Sequence, residues 1–246
     1  MTSKEPKDEL FKTKKDKIIP FSFDNKVANV FDDMATRSIP NYDELQELIA
    51  SLVLKFQQKD SSLYDLGCST GNTILKIFET AQKKDLNLDH LKIIGVDSSK
   101  PMLKIAARKC RHLKINWILN DLNNLSFQES SVIIASYVFQ FIEIEKRAQI
   151  INKIFQALKE KGIFILAEKI ISPNPIIENE IKKLYQQFKL KNQYTQLEIK
   201  QKEEALKNFL NPISINDYSN LFKKTGFKEI EIIFRNLNFF SLIAIK

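Results

Sequence analysis

The chain has 246 residues and a formal net charge of +8, with 43% hydrophobic and 28% charged residues. This length and composition suit one soluble α/β domain with a modest accessory element. The two cysteines, Cys68 and Cys110, give no disulfide framework and indicate a reducing compartment. Because the sequence shows no membrane-spanning run and no apolar signal-peptide core, we expect a cytoplasmic protein without membrane contact.

The basic excess leaves direct nucleic-acid binding open. The lysines are spread along the chain, without a dense block that carries interleaved aromatic residues, so we interpret most of them as solvated helix faces. Residues 1–20 are predicted to be a disordered basic tail. His90 and His112 lie far from any cysteine or carboxylate pattern, and we expect no metal site.

Residues 21–246 are predicted to form a single domain in which helices and strands alternate. The predicted elements, in chain order, are helices at 23–36 and 41–59, a strand at 62–66, a helix at 72–84, a strand at 91–96, a helix at 99–109, strands at 115–119 and 132–137, a helix at 143–159 and a strand at 163–171. Near-continuous apolar strands that alternate with helices predict a parallel sheet covered on both faces.

After this alternation, a helical insertion is predicted at about residues 175–212. A further helix at 217–225 precedes two strands, 228–234 and 239–245, which Arg235 and Asn236 are predicted to join. Their short connection requires an antiparallel pair. The predicted fold is therefore α/β and Rossmann-like: a mostly parallel seven-stranded sheet with a C-terminal antiparallel hairpin and a helical cover.

A glycine-containing turn joins the first strand to the next helix. Asp65, Gly67 and Gly71 form the pattern D-x-G-x-x-x-G, and Cys68 and Ser69 lie between the glycines. A dinucleotide site would need G-x-G-x-x-G to hold pyrophosphate. S-adenosylmethionine (SAM) has no phosphate, and its ammonium suits acceptors such as the Gly67 carbonyl, with Asp65 acting directly or through water. The pattern favours SAM over NAD; a purely structural turn is the alternative.

Acidic residues follow the next two strands. Asp97, followed by Ser98, is positioned to accept hydrogen bonds from ribose hydroxyls, although it could also be a helix cap. Asp121, followed by Leu122, is a candidate to bind adenine, with a turn-forming Asn-Asp pair as the alternative. Loops after parallel strands meet at one sheet edge, so we expect the three loops to form a single site.

The sequence identifies fewer candidate residues on the acceptor side of this predicted site. Methyl transfer mainly needs donor and acceptor aligned and water excluded, so we expect no catalytic triad. Ser136 and Tyr137, at the end of the fourth strand, and Glu168, within the fifth, are candidate acceptor-side residues. Ser136 and Tyr137 could instead simply close the strand, and Glu168 could be a structural partner for Lys169 or a helix end.

The chain resembles the carboxy-S-adenosylmethionine (carboxy-SAM) synthase family, class I SAM-dependent enzymes that serve wobble-uridine modification in tRNA. The resemblance covers about residues 21–246 and rests on the stretch FDxxVAxVFxDMxxRSxPxY at 23–42, on YDLGCSTG at 64–71, and on the motifs FQF, EK, LEIxQK and NFxSLxAIK further along.

The resemblance implies a homodimeric enzyme that moves a carboxyl group from prephenate to the methyl of SAM. It also implies a set of ligand contacts. The implied contacts are Tyr42 over the nucleoside, Gly67, Cys68 and Ser69 on the methionine part, Asp97 and Ser98 on the ribose, and Asp121 and Leu122 on the adenine.

Two positions depart from the family pattern. Ser136, which we also count among the cofactor-binding residues, stands where the family has Asn. Glu203 stands where the family has an Arg that pairs with the ligand carboxylate, and a glutamate there would repel that group. Lys200 or Lys202 could substitute.

These departures lead to three readings. The first is a SAM-dependent methyltransferase with an unidentified acceptor, in which Glu203 meets a cationic or hydroxyl-bearing substrate. The second is carboxy-SAM synthase itself, using SAM and prephenate. The third is a SAM-binding or RNA-binding module without turnover.

Overall fold

A computed structural model describes residues 6–246, in which seven strands form one sheet in the order β3-β2-β1-β4-β5-β7-β6. The strands are β1 (Ser62–Leu66), β2 (Lys92–Asp97), β3 (Asn116–Leu119), β4 (Ser130–Ser136), β5 (Leu158–Lys169), β6 (Glu229–Asn236) and β7 (Phe239–Ile245). The helices are α1 (Asn25–Ser38), α2 (Tyr42–Phe56), α3 (Asn72–Lys83), α4 (Lys100–Lys109), α5 (Ile144–Ala157), α6 (Pro175–Lys191), α7 (Gln196–Leu206) and α8 (Ile215–Thr225). None of the helices within residues 6–246 is long and apolar enough to cross a membrane.

The strand pairing confirms the predicted sheet. Strands β1 to β5 run parallel, and β7 lies antiparallel between β5 and β6. Leu66 at the end of β1 lies opposite Val96 of β2 and Ala135 of β4, so these three strands end at one edge. The strand order reverses between β1 and β4, which is where open α/β sheets bind their ligands.

Both faces of the sheet are buried because its central strands are apolar on both sides. Tyr64 and Leu66 belong to a core shared with α5 and α8, whereas Leu63 belongs to the opposite core with α2 and α3. All five residues of β1 are buried. The rigid central strands therefore fix the start of each loop that follows them.

The structure differs from the prediction for the N-terminal tail. Residues 1–5 lie outside the described part, but Phe11 and Phe21 are buried in a third apolar cluster with α1, α4 and α7. The Phe21 N–H donates to the carbonyl oxygen of Ala205 at 3.0 Å. Composition predicted disorder because the segment is charged, but its few apolar residues find partners on α7.

Two predicted boundaries are also wrong. Strand β5 begins at Leu158 rather than at residue 163, because polar residues at its start lie where the strand is still exposed. Arg235 and Asn236 belong to β6, and the turn consists of Leu237, at φ 49°, and Asn238. The prediction ended the strand before Arg235, because this exposed side chain on the outermost strand interrupts the apolar pattern.

Candidate functional site

A cavity of about 460 Å³ opens at the carboxyl ends of the parallel strands. Its walls combine the loops after β1 to β4 with side chains from α1, α2, α7 and residues 6–24, which we call the N-terminal segment. Among the residues predicted from sequence, those that line it are Tyr42, Gly67, Cys68, Ser69, Asp97, Ser98, Asp121, Leu122, Ser136 and Tyr137. The three predicted loops thus meet in one place.

The loop after β1 requires glycine at its first position. Gly67 has φ +64°, and a Cβ on it would lie 2.3 Å from Cγ2 of Val138. Gly67 lines the cavity, and because glycine has no side chain, a ligand can approach its backbone carbonyl closely. Gly71, at φ +83°, instead begins α3 and does not line the cavity; its α-carbon packs near Ala106, Cys110 and Trp117.

The carboxylate of Asp97 joins the first two loops. It accepts hydrogen bonds from the N–H groups of Ser69, at 2.8 Å, and Ser99, at 2.7 Å. Burial raises the pKa of Asp97, and these N–H donors counteract that shift. The N-cap of α4 is Ser99, so Asp97 is free of that role and faces the cavity beside Ser98.

Asp65 lies behind the loop rather than on the cavity wall. It is 1% exposed, and one carboxylate oxygen has no hydrogen-bond partner within residues 6–246. Burial, with a contribution from Asp97, raises the pKa of Asp65 to about 8. Asp65 therefore lies beside the loop without lining the cavity, which disfavours the direct ligand contact that the sequence allowed.

Asp121 both lines the cavity and starts a short helix. Its carboxylate accepts hydrogen bonds from the backbone N–H of Asn123, at 2.8 Å, and from the side chain of Asn123, at 2.7 Å. The turn-forming role therefore holds Asp121 in place beside Leu122 at the cavity wall.

Helix α1 ties the loop after β1 to α4 through one carboxylate. Asp32 accepts from the Thr70 hydroxyl at 2.5 Å, from the Asn72 amide at 3.0 Å and from the Lys109 ammonium at 2.5 Å. Sequence reasoning gave Asp32 no role. The sequence around Asp32 in α1 does not reveal its three partners, because they lie in elements 38 to 77 residues away.

The part of the cavity lined by Ser136 and Tyr137, named the acceptor end after their predicted role, contains polar atoms without partners. The Ser136 hydroxyl, the Tyr137 hydroxyl and the side-chain oxygen of Gln140 are buried and unpaired within the described chain. Burying such groups unpaired costs free energy, so on a cavity wall these atoms are available to hydrogen-bond a ligand or water. Tyr137 also has φ 62°, a strained conformation of the kind found at functional sites.

Glu168 supports this wall without reaching the cavity. It is fully buried, and its two oxygens accept from the N–H groups of Val138, Phe139 and Gln140 at 2.6 to 3.0 Å. Burial raises its pKa to about 8, although the N–H donors oppose the shift. Its role is to hold the turn after β4.

Two lysines that sequence analysis left without a definite role face the acceptor end. Lys169 of β5 and Lys202 of α7 both line the cavity, together with Tyr185. Burial lowers the pKa of each lysine to about 8. The Lys169 ammonium lies 4.8 Å from the centre of the Tyr185 ring, and the Lys202 ammonium donates to the Ser38 hydroxyl at 3.2 Å.

Glu203 lies outside the cavity, contrary to its predicted place on the acceptor side. Its side chain is 48% exposed and pairs with Lys189 at 2.9 Å. The reason is helical geometry: consecutive residues on α7 point about 100° apart, so Lys202 faces the cavity while Glu203 faces α6. Glu203 therefore does not touch a ligand in the cavity, although its charge reaches the wall by raising the pKa of the cavity-lining Lys169.

An aromatic group lines part of the cavity. Phe23 packs edge-on against Phe141 at 5.1 Å and lies near Phe209 and Phe21. All four line the cavity. The FQF motif marked Phe141 only as part of the family resemblance, whereas the partners come from distant parts of the chain.

The fold and the three converging loops define a class I SAM-dependent methyltransferase fold. A family model described as a methyltransferase domain matches residues 63–162. The solved structure of human N-acetylserotonin methyltransferase in complex with SAM shares the fold (TM-score 0.60, 13% identity, 90% of this chain and 55% of that one). So does a putative SAM-dependent methyltransferase from Methanococcus maripaludis (TM-score 0.56, 18% identity, 94% and 96%).

Relatives of similar sequence identify the family of the chain within this class. The carboxy-S-adenosyl-L-methionine synthase of Campylobacter lari is 40% identical over 242 residues, which cover 98% of this chain and 100% of that one. The enzyme of the same name from Nitratiruptor sp. is 38% identical over 228 residues, 92% and 93% of the two chains. The chain belongs to the carboxy-SAM synthase family and is a SAM-dependent transferase, as the sequence motifs predicted.

Proposed function

We propose that the protein is a carboxy-SAM synthase, which transfers a carboxyl group from prephenate to the methyl of SAM. The observation that carries this proposal is the pair of buried lysines, Lys169 and Lys202, at the acceptor end of the cavity. Prephenate carries two carboxylates, and ammonium groups on a cavity wall can bind carboxylates through charge-assisted hydrogen bonds. An anionic acceptor-side substrate fits this wall better than a cationic one.

The donor end suits SAM. The Gly67 backbone faces the cavity for the methionine part, the fixed carboxylate of Asp97 suits the ribose hydroxyls, and Asp121 and Leu122 suit the adenine. Tyr42 lies at the wall, with its ring centre 6.4 Å from that of Tyr137. These residues bind and orient SAM as the molecule that receives the carboxyl group. Its sulfonium acidifies the methyl, which gives up a proton as its carbon forms the new bond to the carboxyl group. At the same time the bond between that carboxyl and the prephenate ring breaks, and the ring loses its hydroxyl, which leaves with the proton as water.

The acceptor end then holds the substrate and excludes water. Ser136, Tyr137 and Gln140 offer unpaired polar atoms, and the two lysines offer positive charge. Their combined role is to place a carboxylate-bearing molecule next to the SAM methyl, which is the orientation that group transfer needs.

The competing reading, methyl transfer to an unidentified acceptor, depended on Glu203 facing a cationic or hydroxyl-bearing substrate. Glu203 instead pairs with Lys189 outside the cavity, and the curated relatives are named as synthases. Both observations favour the synthase over the methyltransferase, although Ser136 still departs from the family pattern.

The test is to incubate the purified protein with SAM and prephenate and to follow SAM by mass spectrometry. We expect a new species heavier than SAM by the mass of one CO2, which requires prephenate. Omitting prephenate is the control. Conversion of SAM to S-adenosylhomocysteine without that species would favour the methyltransferase instead.

We further propose a homodimer that works in the cytoplasm in tRNA wobble-uridine modification. Exposed apolar side chains on α6, including Ile176 at 75% and Ile177 at 51%, support a surface for a second copy. The free, buried Cys68 and Cys110 fit a reducing compartment. Light scattering after size exclusion tests the dimer, and a monomer at micromolar concentration would contradict it.

A further inference from the structure

The N-terminal segment brings a buried carboxylate to a lysine of the cavity wall. Asp8 is 2% exposed, and its Oδ2 accepts from the Tyr194 hydroxyl at 2.7 Å and from the Lys202 ammonium at 3.4 Å. Lys202 also donates to the Ser38 hydroxyl and lies 5.2 Å from the centre of the Tyr194 ring. Asp8 does not line the cavity, so it can affect a substrate only through Lys202.

The backbone of Asp8 is itself anchored to α1. Its N–H donates to Oδ2 of Asp33 at 2.6 Å, and its carbonyl accepts from Arg37 at 3.2 Å. Arg37 also donates to Asp33 at 3.0 Å and stacks 3.9 Å from the centre of the Tyr194 ring. The Asp8 carboxylate therefore has a defined position rather than that of a loose surface group.

The next part of the segment is fixed to α7, the helix that carries Lys202. Gln201 is 4% exposed and donates to the carbonyl oxygens of Phe11 and Thr13, at 2.8 and 2.9 Å. Its side-chain oxygen accepts from the N–H of Lys15 at 2.8 Å. The segment and α7 thus form one wall, in which Gln201 faces the segment and Lys202 faces the cavity.

We propose that Asp8 is a positioning residue, which holds the Lys202 ammonium charged and directed toward the carboxylate-bearing substrate. This inference rests on the proposed function, because it assigns Lys202 to an anionic substrate. The N-terminal segment is then a part of the acceptor site, connected to it through one ion pair.

The charges around Lys202 explain why Asp8 is needed. The charged groups that face it are Asp8 from the segment, Arg37 from α1 and Lys189 from α6. Burial and the two cations lower the pKa of Lys202, and Asp8 opposes them. Removing the Asp8 charge must lower this pKa further, so Lys202 would lose its proton at a lower pH.

The experiment compares Asp8→Asn with Asp33→Asn in the full-length protein. Asp33 anchors the same segment and has no described contact with Lys202, so it controls for loosened structure. For Asp8→Asn we expect an about fivefold higher KM for prephenate at pH 8 and an alkaline limb of kcat/KM shifted down by about one pH unit. The KM for SAM should stay unchanged. Asp33→Asn should keep the limb in place, and Asp8→Glu should restore it.

A second measurement does not require turnover. Acylation of Lys202 by acetic anhydride, followed by mass spectrometry across pH 6 to 10, reports when its amine loses its proton. In Asp8→Asn the labelling should rise at lower pH than in the wild type and in Asp33→Asn. Equal labelling profiles, or an equal kinetic change in both variants, would overturn the inference. If the wild type makes no carboxy-SAM, the proposed function fails, and the labelling profile alone decides the Asp8–Lys202 coupling.

Discussion

The two ends of the cavity are built in different ways. The donor end consists of loops that directly follow β1 to β3, and its lining residues lie in short motifs such as Gly67 to Ser69. The acceptor end combines the turn after β4 with the N-terminal segment, β5, α6 and α7, and its contacts join residues up to 194 positions apart. Local sequence therefore encodes the donor site, whereas tertiary packing creates the acceptor site.

The strongest test of the donor end is Gly67→Ala. The new Cβ would clash with Val138 in a left-handed conformation, so we expect the free energy of unfolding to fall by about 3 kcal/mol. SAM binding, measured by calorimetry, should weaken about 100-fold or more. Adding Val138→Ala should restore part of the stability. Unchanged SAM affinity in the single variant would show that this turn does not meet the donor.

The matching test of the acceptor end is Lys202→Met, which keeps the length of the side chain and removes its charge. Losing a charge-assisted hydrogen bond costs roughly 2 kcal/mol, so we expect the KM for prephenate to rise about 30-fold. SAM affinity should be unaffected. Because the wild-type pKa is about 8, wild-type kcat/KM should fall as the pH rises through 8. A parallel loss of SAM affinity would contradict the proposed division of the cavity into a donor end and an acceptor end.

A pH experiment sharpens the donor end. The pKa of Asp65 is raised to about 8 in the folded protein, above its value of 3.8 as an unburied group. Between these values the folded state holds one more proton than the unfolded state, so this group's stabilisation is complete at acid pH. It is lost as the pH rises toward 8, by up to about 1.4 kcal/mol per pH unit. Denaturant unfolding of Asp65→Asn should show a shallower decline from pH 5 to 8; identical slopes would contradict the shift.

The smallest effect is expected for Glu203→Gln. Its ion pair with Lys189 is half exposed, and such pairs contribute less than about 1 kcal/mol. We expect kcat/KM for prephenate to change less than about twofold, compared with the large effect at the adjacent Lys202. A strong gain in activity in Glu203→Gln or Glu203→Arg would revive the predicted repulsion.

The sequence predicted the sheet, the strand-end loops and the family correctly, because each depends on local pattern. Alternating apolar strands and helices impose the parallel order, and Asp97 is the last residue of β2. Lys202 could be suggested but not chosen over Lys200, since the direction of α7 relative to the cavity depends on its partners. The residues near Asp8 look like a charged tail until Tyr194 and Lys202 are placed beside them.

The contacts of Asp8 with Tyr194 and Lys202 join the first and last thirds of the chain, which has a consequence during synthesis. A ribosome makes Asp8 long before Tyr194 and Lys202, so the leading segment has no partner while the strands of the central sheet emerge and pair. The nascent protein can therefore complete its nucleoside-facing half first. Its anion-facing half becomes competent only when nearly the whole polypeptide has left the exit tunnel.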